Sequence, residues 1–386
     1  MTANSVDPET RSALDARGDN TGQEPLIVLV GAGLVGSCFA TSMLGKMLII
    51  DPDTFSERQK ILACASKPGT LKVSAVASYR DSHSLGHSLP LPIRFQMLGK
   101  AFWEWASIQN AIIIDATDGD ESSFALSQTA LTHGLPVIMS KVHGNAGFVR
   151  VFPVSSQVGF CCMGFQRARA EASCFGVSVN AGDVPSTNAS LSIAYTVAGI
   201  ASGAAIRSVK AEEQAYEIRI DLNGLTWTRS RLSMEPCQHH PTHNGADQRV
   251  VLQRDSTQLT LYDMMLKASD HLGEDFRLKL QFPLAKALRC ADCGRVVSDA
   301  WHLVGARTYR CQQCDSIHIE TLPSNLWQGR TLTPQQVMEN GMANVSLIEL
   351  GAPYWEIYRF ESKHKALDVE VGDRDLVMGG LQNGRS

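Results

Sequence analysis

Gly31, Gly33 and Gly36 follow an apolar run at 26–30, and Asp51 and Asp53 follow a second apolar run at 47–50. Glycines at this spacing, between a buried strand and a helix, let main-chain N–H groups approach a phosphate closely. An acid closing the next strand suits a ribose hydroxyl. Arg58 and Gln59, then Lys72, then Asp115 and Asp118 at the end of a third apolar run come next in order. The glycine spacing alone fits an NAD-dependent oxidoreductase, and the arginine, the lysine and the second pair of acids are no part of that default. Read singly, Arg58 and Lys72 are solvated surface charges. Read together beside a nucleotide loop, two cations and two further acids ask for a reading beyond that default.

A separate group of residues points to a metal. Cys290 and Cys293 form one Cys-x-x-Cys knuckle, and Cys311 and Cys314 form another, joined by a connector at 294–310. Two such knuckles place four thiolates tetrahedrally around one Zn²⁺. A closed four-cysteine site has no open coordination position, so it is expected to be structural. Gly294 helps the tight turn after the first knuckle. Cys237, His239, His240 and His243 also have metal-ligand chemistry, but a polar loop beside the site is the simpler expectation.

The chain has 35 Lys and Arg against 39 Asp and Glu, a formal charge of −4, so no overall field draws it to nucleic acid or to an anionic membrane. Its apolar runs are strand-length, well short of the roughly 20 residues of a membrane span. Ten cysteines without a secretory leader at the start argue for metal or thiol chemistry in a reducing, cytoplasmic setting.

The elements that must position these residues follow from periodicity. Strand-length apolar runs alternating with helical patterns over 25–150 predict an α/β fold with a mostly parallel sheet. A short helix rich in small residues is expected at about 35–44, and another at 71–77 with Lys72 on its polar side. Phe102, Trp103 and Trp105 read as core or dimer contact, and Cys161 and Cys162 as small buried side chains. A helix at about 191–206, apolar almost all round, is expected to be buried. Strands are expected at 215–220, 225–229 and 250–252, and residues 345–358 as a terminal element packing back on the rest. The tail from 377 reads as disordered.

Taken in order, the glycine loop, Asp-x-Asp, Arg-Gln, a lysine on the next helix and Asp-x-Thr-Asp resemble the ThiF/MoeB and ubiquitin-activating (adenylating) superfamily, over about 24–210. The spacing from Asp53 to Arg58 is shorter than the family's, and Gly119 stands where the family has Asn. The resemblance implies a Rossmann-like, mostly parallel sheet of the ThiF type, to which the two cysteine knuckles add a C-terminal zinc-ribbon-like module. It implies ATP-dependent adenylation of a carboxylate. Arg58 and Lys72 would clamp phosphate oxygens, Asp118 would hold Mg²⁺, Asp51 would fix the ribose, and Gly31, Gly33, Gly36, Asp53 and Gln59 would complete the ATP site. Cys174, with Arg167 and Arg169 nearby, is the candidate carrier thiol, although a small buried cysteine is an equal reading. Arg11 or Arg17 is a candidate to reach the phosphates across a homodimer.

The implied substrate is a ubiquitin-like or sulfur-carrier protein, with a downstream conjugating protein as a further partner and no nucleic acid or membrane. A ubiquitin-activating-type enzyme comes first, followed by a sulfur-carrier activator, a peptide-modifying adenylating enzyme and a non-catalytic scaffold. The expected division is an arm at 1–23, an adenylation domain at 24–262, a zinc-binding module at 263–330, and a C-terminal element and tail at 331–386.

Overall fold

The computed structural model describes residues 25–55, 67–163, 189–208, 214–234, 246–304, 311–314, 319–321, 323–327 and 329–379. Its largest element is an eight-stranded sheet. The strands are β1 (Ile27–Val30), β2 (Met47–Ile50), β3 (Ser88–Leu91), β4 (Ile112–Asp115), β5 (Val137–His143), β6 (Ala146–Phe152), β7 (Tyr216–Asp221) and β8 (Thr226–Arg231). They lie in the order β3-β2-β1-β4-β5-β6-β7-β8. The first five in this order pair in parallel, and the pairs β5–β6, β6–β7 and β7–β8 are antiparallel. The expected mostly parallel α/β sheet is present.

Strands β1, β2 and β4 are buried at every position, which is why they read as unbroken apolar runs rather than as alternation. Alternate residues point to opposite faces. Ile27, Leu29 and Ile49 pack with α1 (Leu34–Ser42), α2 (Lys72–Ser82) and a later helix at 191–208. Val28, Val30 and Ile113 pack on the other face with α3 (Lys100–Ile108) and α4 (Asp120–Thr132). Phe102 and Trp103 are both buried in this second core, as expected of packing residues.

The helix at 191–208 is α5 (Leu191–Ser208), expected to be buried in part at a two-fold contact. Ile193, Ala194, Val197, Ala198 and Ala201 are fully buried, but Leu191, Tyr195 and Ile206 are exposed. Its composition is apolar nearly all round, and among the described residues the side toward α1 and the sheet is the covered one.

The remaining strands are β9 (Gln248–Val251), β10 (Phe276–Lys279), β11 (Leu284–Cys290), β12 (Val296–Leu303), β13 (Ile319–Glu320), β14 (Thr331–Leu332), β15 (Ile357–Ser362) and β16 (Ala366–Glu370). They form a five-stranded sheet, β14-β10-β15-β16-β9, and a three-stranded one, β12-β11-β13. Strand β9 pairs with β16 in parallel, and β10 pairs with both β14 and β15. The five-stranded sheet therefore draws strands from all three of the expected segments beyond residue 23. Helix α6 (Leu261–Leu272) carries a capping box, Thr260 with Asp263, and packs on this sheet.

The C-terminal element closes back on the first sheet. Trp355, Ile357 and Val377 join the core that holds Phe102 and Trp103. Gly99 N–H donates to Tyr354 O at 2.7 Å, and a Cβ on Gly99 would meet Glu356 Cα at 2.6 Å. That approach requires glycine.

Candidate active site

The order of the first sheet reverses between β1 and β4, since β2 and β3 lie on one side of β1 and β5 lies beyond β4 on the other. Ligands of open α/β sheets sit outside the carboxyl ends of the strands at this point. The Gly31 turn, Asp51 and Asp118 all follow such strand ends.

The three glycines do different work. Gly31 has φ +94°, and a Cβ there would meet Ala116 O at 2.6 Å. A Cβ on Gly36 would meet Gly31 O at 1.9 Å. Both close approaches hold the turn against the sheet. At Gly33, the residue preceding α1, a Cβ would meet nothing within 4 Å. Among the described residues nothing stands against that position, and helix N-terminal N–H groups with no intrahelical partner bind anions.

Asp51 is buried, and both its carboxylate oxygens brace the loop. Oδ2 accepts from Ala32 N–H at 2.6 Å and Oδ1 from Asp53 N–H at 2.8 Å. Burial raises its pKa, opposed by the charge of Lys72 and by these two donors. Lys72 opens α2. Its N–H donates to Asp53 O at 3.0 Å and its Nζ to Asp53 Oδ2 at 3.0 Å. The expectation that Lys72 lies on the polar side of its helix is corrected: it is 6 % exposed, because it starts the helix against the sheet rim. The Asp53 side chain, at 64 %, is open to solvent.

At the end of β4, Asp115 is fully buried. Its Oδ1 accepts from Thr117 N–H and Oγ1, at 3.0 and 2.7 Å. Its Oδ2 accepts no hydrogen bond among the described residues. Asp118 is exposed, just ahead of α4. Arg11, Arg17, Arg58, Gln59, Arg167, Arg169 and Cys174 lie outside the described residues, as do Cys237, His239, His240 and His243.

Sequence reasoning missed three groups. Lys141 on β5 pairs with Asp120, the first residue of α4, at 2.8 Å. Arg150 on β6 pairs with Glu217 on β7 at 2.5 Å, both nearly buried. Arg80 is fully buried and donates to the carbonyls of Ala40, Met43, Gly45 and Leu85, at the C-terminal end of α1 and in the neighbouring turns. The one available signal is a basic residue inside an otherwise apolar strand run, as at Lys141 and Arg150.

The four knuckle cysteines come together as their spacing predicts. Their Sγ atoms all lie within 4.8 Å of one another. Cys290 to Cys314 and Cys293 to Cys311 are each 3.5 Å. Tetrahedral Zn–S bonds of about 2.3 Å put sulfurs about 3.8 Å apart, so the cluster has the dimensions of a zinc site. Gly294 turns the first knuckle with φ +72°, donating to Cys290 O at 2.9 Å. Backbone N–H groups of Cys314 and Gln313 pull the Cys311 thiol down to about 7, toward the thiolate form that binds metal.

No helix among the described residues is long and apolar enough to cross a membrane. No family model matches the chain, and no curated protein does. Among solved structures it is similar to E. coli MccB with ATP, at TM-score 0.42 and 12% identity, over 56% of this chain and 66% of that one. A structure of E. coli MccB with AMPCPP and MccA matches at TM-score 0.42 and 13% identity, over 55% and 65% of the two chains. One of PaaA matches at TM-score 0.41 and 14% identity, over 60% and 86%. The match spans just under two thirds of the length of these MccB chains.

Proposed function

We propose that the chain uses ATP and Mg²⁺ to adenylate a carboxylate, the C-terminus of a small protein or peptide, with a ubiquitin-like protein as the first candidate. The observation that carries this reading is the contrast among the glycines. Gly31 and Gly36 are required by main-chain packing, whereas a Cβ on Gly33, ahead of a helix at the sheet's reversal point, meets nothing within 4 Å among the described residues. This reading puts a phosphate there, and a side chain at 33 would enter its place.

The substrate carboxylate is already a nucleophile at neutral pH, so the site needs no general base. What it must supply is compensation for two meeting anions. Lys72 and Arg58 hold phosphate oxygens as fixed cations, and Asp118 offers an exposed carboxylate to Mg²⁺. Mg²⁺, when bound, neutralises charge on the phosphates. Asp51 is positioned to shape the ribose end of the site through its hold on Ala32 and Asp53, with Gln59 nearby in sequence. The zinc cluster stabilises the β11–β12 hairpin and β13. The exposed residues of α5 supply a surface for a homodimer.

The sulfur-carrier and peptide-modifying readings share this first step. They separate from the ubiquitin-activating one at Cys174, which forms a thioester only in the last. ATP–pyrophosphate exchange tests the reading. Asp118→Ala should lower exchange about a hundredfold, on the order of 3 kcal/mol. Normal exchange in that variant sinks the assignment.

A further inference from the structure

Strand β5 runs past the end of β4. Their last paired residues are Asp115 and Met139, after which 140–143 continue upward paired to β6. Lys141 therefore stands above the carboxyl rim, on the α4 side of the sheet. Its Nζ is 2.8 Å from Asp120 Oδ1 and 6.0 Å from the centre of the Phe160 ring.

Among the described residues, the start of α4 beside it is acidic. Asp118, Asp120 and Glu121 fall within the first turn of α4 or just ahead of it. An anion arriving from this side meets three carboxylates, and like charges brought together oppose binding. Arg150 lies 5.9 Å from the same Phe160 ring, but it is 4 % exposed and held by Glu217. Lys141 keeps 15 % of its side chain accessible, and its partner Asp120 keeps 39 %. Across the glycine loop, Lys72 serves the phosphates from the β2 side. A second cation on the β4–β5 side is what a reaction between two anions requires.

We propose that Lys141 receives the terminal carboxylate of the substrate, which takes the place of Asp120 as its ion-pair partner. Phe160 packs beside the ammonium and limits its range. The contact makes a free carboxylate, rather than an amide, the recognised end group. This assignment rests on the adenylation reading above.

The test uses the full chain and ATP–pyrophosphate exchange, with decapeptides ending in each of the twenty residues as free acids and their amides as blanks. Lys141→Met should raise KM for an accepted free acid roughly tenfold or more, with kcat and the Kd of MgATP little changed. Lys141→Arg should restore KM. Lys141→Gln keeps a donor to Asp120 without the charge, and should behave like Lys141→Met while keeping the fold. Asp120→Asn should leave KM unchanged or lower it, because it releases the cation. An unchanged KM in Lys141→Gln overturns the assignment. So does an equal rise in Lys141→Gln and Asp120→Asn, which would make the pair a clamp on α4. A wild-type chain that exchanges with none of the free-acid decapeptides and with no ubiquitin-like or sulfur-carrier protein bearing a free C-terminus overturns the adenylation reading itself, and this one with it.

Discussion

Lys72 and Asp53 are joined twice: the lysine N–H donates to the aspartate carbonyl, and its Nζ reaches the carboxylate, each at 3.0 Å. The lysine side chain is 8 % exposed and the aspartate 64 %. The ammonium is thus held in place from the protein side, while its partner can be exchanged from the solvent side. Lys72→Met should lower pyrophosphate exchange about a hundredfold, on the order of 3 kcal/mol. Asp53→Asn, which keeps the main-chain link, should cost less than tenfold. Equal losses in both variants would mean that the pair, rather than the cation, is what the site uses.

Gly33 and Gly36 should respond oppositely to the same substitution. Gly36→Ala places a Cβ 1.9 Å from Gly31 O and should unfold the loop, lowering the thermal midpoint by several degrees or preventing folding. A Cβ at Gly33 meets nothing within 4 Å among the described residues, so the midpoint of Gly33→Ala should be unchanged while its ATP affinity falls about tenfold or more. Calorimetric titration with ATP and a thermal melt distinguish the two. Unaltered ATP affinity in Gly33→Ala would move the phosphates elsewhere.

The four-cysteine cluster should carry about one equivalent of zinc per chain by elemental analysis. Cys290→Ser should lose the metal and loosen the β11–β12 hairpin, because Cys290 ends β11 and is fully buried. Full zinc content in that variant would place the ion elsewhere, with Cys237 and its histidines as the next group to test.

Glu356 should make stability depend on pH. Burial raises its pKa from 4.5 to about 7, against donors from Ile357 and Lys100 N–H, the Lys100 charge and Gln281. Between those two values the folded chain holds a proton that the unfolded chain has lost. Its contribution therefore declines as pH rises through the window and is lowest above about 7. The full difference is on the order of 3 kcal/mol. Glu356→Gln keeps an acceptor for the Lys100 and Ile357 N–H groups without the charge. It should be more stable than wild type at pH 8 and nearly equal to it at pH 4. Denaturant midpoints at the two pH values check this, and a constant offset between the proteins would rule it out.

The sequence by itself determined the mostly parallel character of the first sheet and the four-cysteine cluster. Unbroken apolar runs of strand length are what parallel strands covered on both faces must have, and Gly31, Gly33 and Gly36 mark the turn between the first strand and its helix. Knuckle spacing constrains four thiolates locally, so Cys290, Cys293, Cys311 and Cys314 were legible before any fold was known. Tertiary structure alone decided the rest, because it depends on contacts between residues far apart in the chain. Pairing of β9 with β16 joins residues more than a hundred positions apart, and no local period encodes it. Lys72 was expected on the polar side of its helix, and only the tertiary structure showed it buried beside Asp53. Lys141 and Asp120 became partners only when β5 outran β4 and brought its end over the start of α4. Helix α5 carries apolar residues nearly all round, and only the packing of α1 and the sheet on one side showed which of them are left for another surface.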